Sequence, residues 1–428
     1  MRRSLIIGVI IIAVLSVTAA YADEGYSFSL PSSEAKKEIL ELSGNLDVKY
    51  YIFKSRQDSP MYKLQYYGQQ LSNILSSYKM DLYLNGDYQT KDLGVHFKTH
   101  SEYYNDSQNT FNLFELYGDL NVSDNAFLLF GKKMYNWGKG YAFNPVGYVN
   151  PVKDPENPEL AHAGIFSMNC EYSKSLSKGY IKNFSFDLIG VSSSKIINNK
   201  MSELENTDIA GKLYFLFLDT DIDLMWYLSK VNATKAGFDF SKNILPNLEM
   251  HGEYSRFSNQ PKYTISGNTP EAGSVNGASY LLGLRWLNEL NITTIFEYYH
   301  NEAGLTNSEF ASYNNFLLNA LVSGDSVSIA NAINVNKNYF GNANLMRDYL
   351  YLKVSCPEPF NWLYFTPSIY AICNINDGSS IIGIPLSYKP ITNFEFIFWP
   401  TIIAGTNNTE YGSKQYEGKL EIWTRFFF

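Results

Sequence analysis

Cysteine, charge and long apolar runs are all in short supply in this chain. Only Cys170, Cys356 and Cys373 occur in 428 residues. An odd count with neither paired nor metal-like spacing excludes a disulfide framework and a zinc ribbon. The three thiols read as packing residues, each behaving as a small hydrophobe, with a single disulfide among them left open. Charged residues make up 18% of the chain, against roughly 25% in an average domain. The formal charge of -8 and the pI near 5.3 exclude a nucleic-acid partner. After the opening residues no apolar stretch approaches the ~20 residues of a spanning helix, which excludes a helical membrane protein. The G-x-S-x-G and H-E-x-x-H patterns of hydrolases are absent too. His96 and His100, on one strand face, would stand ~13 Å apart at ~3.3 Å per residue, too far to share a metal. Glu249 and His251 lie closer but supply too few ligands for a metal. We expect no enzyme, no cofactor and no metal.

The opening MRRSLIIGVIIIAVLSVTAAYADEG has the three parts of a secretory leader: Arg2 and Arg3, an apolar stretch from Leu5 to Val17, and Ala20-Tyr21-Ala22 as cleavage site. We expect residues 1–22 to be a cleaved signal peptide, with no cysteine placed to carry a lipid. Aromatic residues are abundant, with 34 Tyr, 28 Phe and 6 Trp. Tyr and Trp favour positions with one apolar and one wet side, such as membrane interfaces.

The dominant pattern is alternation. The final YEGKLEIWTRFFF sets Leu420, Ile422, Phe426 and Phe428 on one parity and Glu417, Lys419, Glu421 and Arg425 on the other. A two-residue period sends alternate side chains to opposite faces of a strand. The same pattern returns around Tyr50, Leu82, Phe97, Leu224, Met250 and Phe396. About eighteen such segments of about ten residues follow one another, the length of a tilted membrane-spanning strand. Connections after even strands are mostly short (YQTKD, VSDN, DTD), whereas those after odd strands are often long: 55–74, 136–163, 192–207, 257–277, 301–345 and 404–415. Short turns on one side and long loops on the other are how an outer-membrane barrel is built. The expected fold is all-β: an antiparallel up-and-down transmembrane β-barrel over 42–428, with periplasmic turns and extracellular loops. Residues 23–41 are expected to form a periplasmic segment with a short helix over Ser32–Leu42, and a second helix is expected from Ser308 to about Val322, ended by Gly324.

Two elements carry a family resemblance. The terminal Phe428, with Leu420, Ile422 and Phe426 before it, resembles the sorting signal that the barrel-assembly machinery of Gram-negative outer membranes reads. GKKMYNWGKGYAFNPVGYVNPVKDPENPEL, from Gly131 to Leu160, resembles the G-K-x-x-x-x-W-G element of poorly characterised porin-like barrels, whose strand number is similar to that of alginate-export-type barrels. The resemblance implies an outer-membrane location, lipid contact and a small solute of unknown identity, with homo-oligomerisation left open.

Within that frame the Pro-rich segment after Trp137 should fold inward as a constriction, with Trp137, Tyr141, Phe143 and Tyr148 as stacking surfaces and Lys139, Lys153, Asp154 and Glu156 at the narrowing. The polar parity places His96, Lys98, His100, Glu102, Glu249, His251, Glu253 and Arg285 in the lumen, where charge sorts solutes or braces the wall. Because the lumen is not arginine-rich, an acidic polysaccharide is disfavoured. Three readings stand: a passive channel for small solutes, a transporter of hydrophobic or lipid-like molecules, and a non-conducting barrel that binds at its surface.

Overall fold

The computed structural model describes residues 39–69, 71–105, 109–192, 207–230 and 232–428. The expected leader, and all of the 192–207 loop but its two end residues, lie outside them. The strands are β1 (Ile39–Ser55), β2 (Ile74–Gln89), β3 (Leu93–Tyr104), β4 (Thr110–Ser123), β5 (Ala126–Lys133), β6 (Ile165–Ser175), β7 (Ile181–Val191), β8 (Asp208–Phe217), β9 (Thr220–Leu228), β10 (Thr234–Leu245), β11 (Leu248–Ser266), β12 (Thr269–Leu287), β13 (Thr293–Asn301), β14 (Asp348–Ser355), β15 (Phe365–Asn374), β16 (Ser380–Gly383 and Leu386–Ile391), β17 (Phe394–Ala404) and β18 (Tyr416–Phe427). The two halves of β16 share the same neighbours, so the 19 hydrogen-bonded pieces make an 18-strand barrel. The break falls at Pro385, which has no N–H to give the ladder.

Every strand pairs antiparallel with the next, and β18 returns to β1 with Asp47 opposite Arg425 and Tyr50 opposite Ile422. Phe428 completes the closure: Gly44 N donates to Phe428 O at 2.9 Å and Phe428 N to Gly44 O at 3.1 Å. A side chain on Gly44 would collide with the Phe428 ring, 2.8 Å from where its Cβ would stand. The glycine therefore lets the terminal ring lie over the seam. Closure leaves no unpaired edge, the condition for a sheet to exist in hydrocarbon.

The two parities separate as expected. On β2 Met80 and Leu84 are exposed while Asp81 is fully buried, and on β18 Phe426 is exposed while Glu421 and Trp423 are buried. A lysine on the outward parity at mid-depth would cost ~2–4 kcal/mol, whereas the lumen can hold it paired.

Two expectations change. Strand β1 begins at Ile39, with Ile39 opposite Gln89 and Leu42 opposite Gly86, so the last residues of the expected N-terminal helix are strand. Pairing with β2 outweighs their helix propensity, and 32–38 lie outside the described residues. The expected long loop 257–277 is instead a tall hairpin: β11 and β12 continue to a two-residue turn at Gly267 and Asn268, with Gly267 at φ 59°. The Gly-Asn turn marked it in the sequence. The 55–74 loop carries a short helix, α1 (Pro60–Gln65), and the helix α2 (Asn307–Ser323) forms as expected, with a Thr306–Glu309 capping box and left-handed Gly324 at its end. It is followed by α3 (Ser326–Tyr339), which packs Ile329, Ala332 and Val335 inward.

Candidate functional site

The segment between β5 and β6, residues 134–164, enters the lumen and crosses it. Its backbone is held by two buried carboxylates on the opposite wall. Glu253 of β11 accepts from Lys139 N and Gly140 N, each at 2.6 Å, and from Val146 N at 3.2 Å. Glu297 of β13 accepts from Tyr141 N and from Ala142 N, the latter at 2.9 Å. Glycine makes the approach possible. Gly138 has φ 98°, and a Cβ there would stand 2.7 Å from Glu253 Oε1; one on Gly140 would stand 2.2 Å from Phe143 O. Buried carboxylates are stable only when such donors replace water.

His251 supports this anchor from the side. Glu297 and His251 lie on either flank of β12, both in register with Gly283. A Cβ on Gly283 would stand 2.0 Å from His251 Nε2, so the missing side chain is the gap through which His251 reaches Glu297 at 3.0 Å.

The expected loop residues occupy definite places. Trp137 is buried, its backbone N and O bonded to the Asn150 amide, and it meets Tyr148 edge-on at 6.5 Å. Lys139 Nζ lies 2.9 Å from Asp223 on β9. The Tyr141 hydroxyl donates to Glu159 at 2.8 Å, with the Lys353 ammonium 4.7 Å from its ring. Phe143 stacks on Tyr299 at 4.6 Å. The Tyr148 hydroxyl donates to Ser255 at 2.9 Å. Lys153 donates to the carbonyls of Gly140 and Tyr141, Asp154 accepts from Glu156 N, and Glu156 faces Lys419 of β18 at 3.4 Å. The loop thus touches β9, β11, β13, β14 and β18 and bridges the lumen.

A cavity lies on each side of this bridge. The loop-end cavity, about 680 Å³, is bounded by Phe143–Pro145, Tyr148, Lys153, Lys235, Gln260 and Tyr299, among others. The turn-end cavity, about 510 Å³, is bounded by Asp47, Lys49, Lys98, Tyr141, Glu159, Lys353, Trp423 and Arg425, among others. Around the latter the wall charges form a network. Arg425 makes a two-pronged contact with Asp47 at 2.7 and 2.8 Å, and Lys49 lies 2.8 Å from Asp81.

The expected lumen charges divide. His100 is buried against Asp81 at 2.8 Å and stacks on Tyr83, Glu102 meets Lys79, and His96 lies between Asp87 and Asp119. Glu249 accepts from Ser241 at 3.0 Å. Lys98 lines the turn-end cavity, and Arg285 remains exposed opposite Glu249. Asp81, His100 and Glu102 bring ligand atoms within 4.8 Å of one another. Lys79 lies 3.0 Å from Asp81 and 2.5 Å from Glu102, and Lys49 adds a second ammonium. These cations already neutralise the carboxylates, so the cluster is an ion-pair network.

Sequence reading did not single out Glu410. This buried residue of the 405–415 loop accepts from Tyr349 Oη at 2.8 Å and Asn374 Nδ2 at 2.5 Å, and also from Leu345 N. Burial pushes its carboxyl up to about 7 against the donors that favour the charged form. No local pattern marks it, because its partners lie 36 to 65 residues away.

No protein-family model and no curated protein matches the chain. Solved structures do. OccK8 (OprE) of Pseudomonas aeruginosa aligns with TM-score 0.54 at 8% identity, over 91% of this chain and 98% of its own. OccK2 (OpdF) of the same organism, solved in complex with glucuronate, aligns with TM-score 0.53 at 10% identity, over 91% and 97%. Wzi of Escherichia coli, an outer-membrane protein involved in group 1 capsule assembly and described as a carbohydrate-binding β-barrel, aligns with TM-score 0.53 at 12% identity, over 89% and 84%. At these identities the likeness is one of fold: this chain has the fold of an outer-membrane, porin-like β-barrel.

Proposed function

We propose that the chain sits in the outer membrane as a loop-constricted channel for passive or facilitated uptake of small polar solutes. The observation that supports it is the bridge itself, which leaves a solute-sized cavity lined by charged, amide and aromatic groups on either side. Such linings suit polar solutes, since charge facing a lipid-like cargo would be desolvated without a partner. The arrangement stands closer to recognition and passage than to catalysis. Insertion relies on outer-membrane lipid and, through the terminal Phe428, on the barrel-assembly machinery.

The test is single-channel recording of the refolded protein in a planar bilayer. Open steps are expected, and shortening the bridge between Gly138 and Asn157 should raise conductance roughly twofold or more, because pore radius sets ion flow. Folded, inserted protein that stays silent in both forms would overturn the channel reading. A second reading would then take over: a non-conducting barrel that holds its ligand at the loop end. It is favoured by the apolar cluster of Phe310, Tyr313, Phe316, Leu317 and Phe340, which packs from α2 and α3 toward Phe143 and Tyr349.

A further inference from the structure

We propose that the loop-end cavity is a recognition site for a small hydroxylated anion, with Lys235 as the anchor of its negative charge; this deepens the channel reading and rests on it.

Among the described residues, three charged side chains line the cavity: Lys153, Asp154 and Lys235. Two of them are already engaged. The Lys153 ammonium donates to Gly140 O at 2.5 Å and Tyr141 O at 3.2 Å, and Asp154 Oδ1 accepts from Glu156 N at 3.0 Å. Lys235, on the lumen parity of β10 opposite Tyr227 and Phe257, is different. Among the described residues it has no hydrogen-bond or ion-pair partner, and its ammonium stands over the Tyr148 ring, 5.7 Å from the centroid. An ammonium half-removed from water and left without a counter-ion costs free energy. A solute's anionic group would supply the missing partner.

The rest of the lining specifies what that anion carries. Among the described residues the side-chain amides of Gln260 and Asn342 make no hydrogen bonds, yet both face the cavity. A primary amide offers two donors and an acceptor, which match hydroxyl groups that also do both. The rings of Phe143 and Tyr299, stacked at 4.6 Å, and of Tyr148 give apolar surface for the C–H side of such a molecule. Hydroxyls, one anionic group and a size compatible with about 680 Å³ describe a sugar acid or a sugar phosphate. A long-chain acid would leave the amides unpaired, and a bare inorganic anion would leave the rings unused.

The test is titration of detergent-solubilised, folded protein with gluconate, glucose 6-phosphate, glucose and propionate, read by calorimetry. Folding of each variant is verified by heat-modifiable gel mobility. Gluconate or glucose 6-phosphate should bind, and which one binds better distinguishes carboxylate from phosphate. Glucose and propionate should each bind about tenfold more weakly or worse, since each lacks one of the two features. Lys235→Met should abolish the preference for the anion over glucose, and Lys235→Arg should retain it. Equal binding of glucose and gluconate, an unaltered preference in Lys235→Met, or no binding of either anion would overturn the assignment. The bilayer recording is independent: binding by a silent barrel removes the channel and keeps the site, while conduction without binding does the reverse.

Discussion

Gly283 shows how much a single missing side chain can decide. It stands between His251 and Glu297 and lets them meet, and Glu297 in turn holds the backbone of the bridge. Gly283→Ala should therefore lower stability by about 1–3 kcal/mol, the usual cost of overpacking. In a His251→Ala background the same change should cost much less, because the clashing imidazole is gone. Urea unfolding of the four proteins in lipid vesicles measures the coupling, and additive effects would refute this account. Glu253 is the companion case. Glu253→Ala strips acceptors from three backbone N–H groups at once, each worth about 1–3 kcal/mol if left buried and unpaired. We expect the bridge to release before the barrel unfolds, seen as new protease cleavage between Gly138 and Asn157 in a barrel that still resists heat. At this scale the sequence was partly legible: period-2 parity put Glu253 and His251 on the inner face. Their partners were not legible, since Glu253 and Gly140 are 113 residues apart and meet only once the barrel closes.

Among elements, the loops and helices at the loop end are expected to respond to pH through Glu410. Its carboxyl titrates near 7 in the folded protein against an ordinary value of 4.5. The folded state therefore holds this proton more tightly than the unfolded state does. Its packing is strongest below about pH 4.5 and weakens as pH rises toward 7, as linkage requires. Amide exchange in residues 302–347, corrected for the intrinsic rate, should lose protection across that window, and Glu410→Gln should flatten the dependence. Protection that rises with pH in the unmodified protein would contradict it. The helices themselves differ in legibility. Thr306, Glu309 and Gly324 announce α2 through its caps. α3 carries SVSIANAINVNKNY, rich in β-branched residues and asparagine with weak helix propensity. It is helical because Ile329, Ala332 and Val335 are buried against the rest of the loop-end cluster, a contribution from packing that no local window contains.

For the molecule as a whole, closure rests on the seam between β1 and β18. Phe428 contributes both backbone hydrogen bonds to Gly44 and a ring that covers it. If the terminal residue also serves recognition during assembly, deleting Phe428 should reduce the heat-resistant barrel recovered from cells far more than the yield of refolding from urea into vesicles. Equal losses in both settings would assign Phe428 a purely structural role.

Strand number, strand faces, the short-turn and long-loop sides and the cap-defined helix were determined by the sequence alone. These properties are local: an alternation of period two, a capping box or a turn residue acts within a few positions. The carboxylate anchors of the bridge, the division of the lumen into two cavities, the Arg425–Asp47 pair 378 residues apart and a Lys235 without a partner among the described residues were decided only by the tertiary structure. Those contacts form across the lumen, and which side chains face one another there depends on the radius and register of the closed barrel.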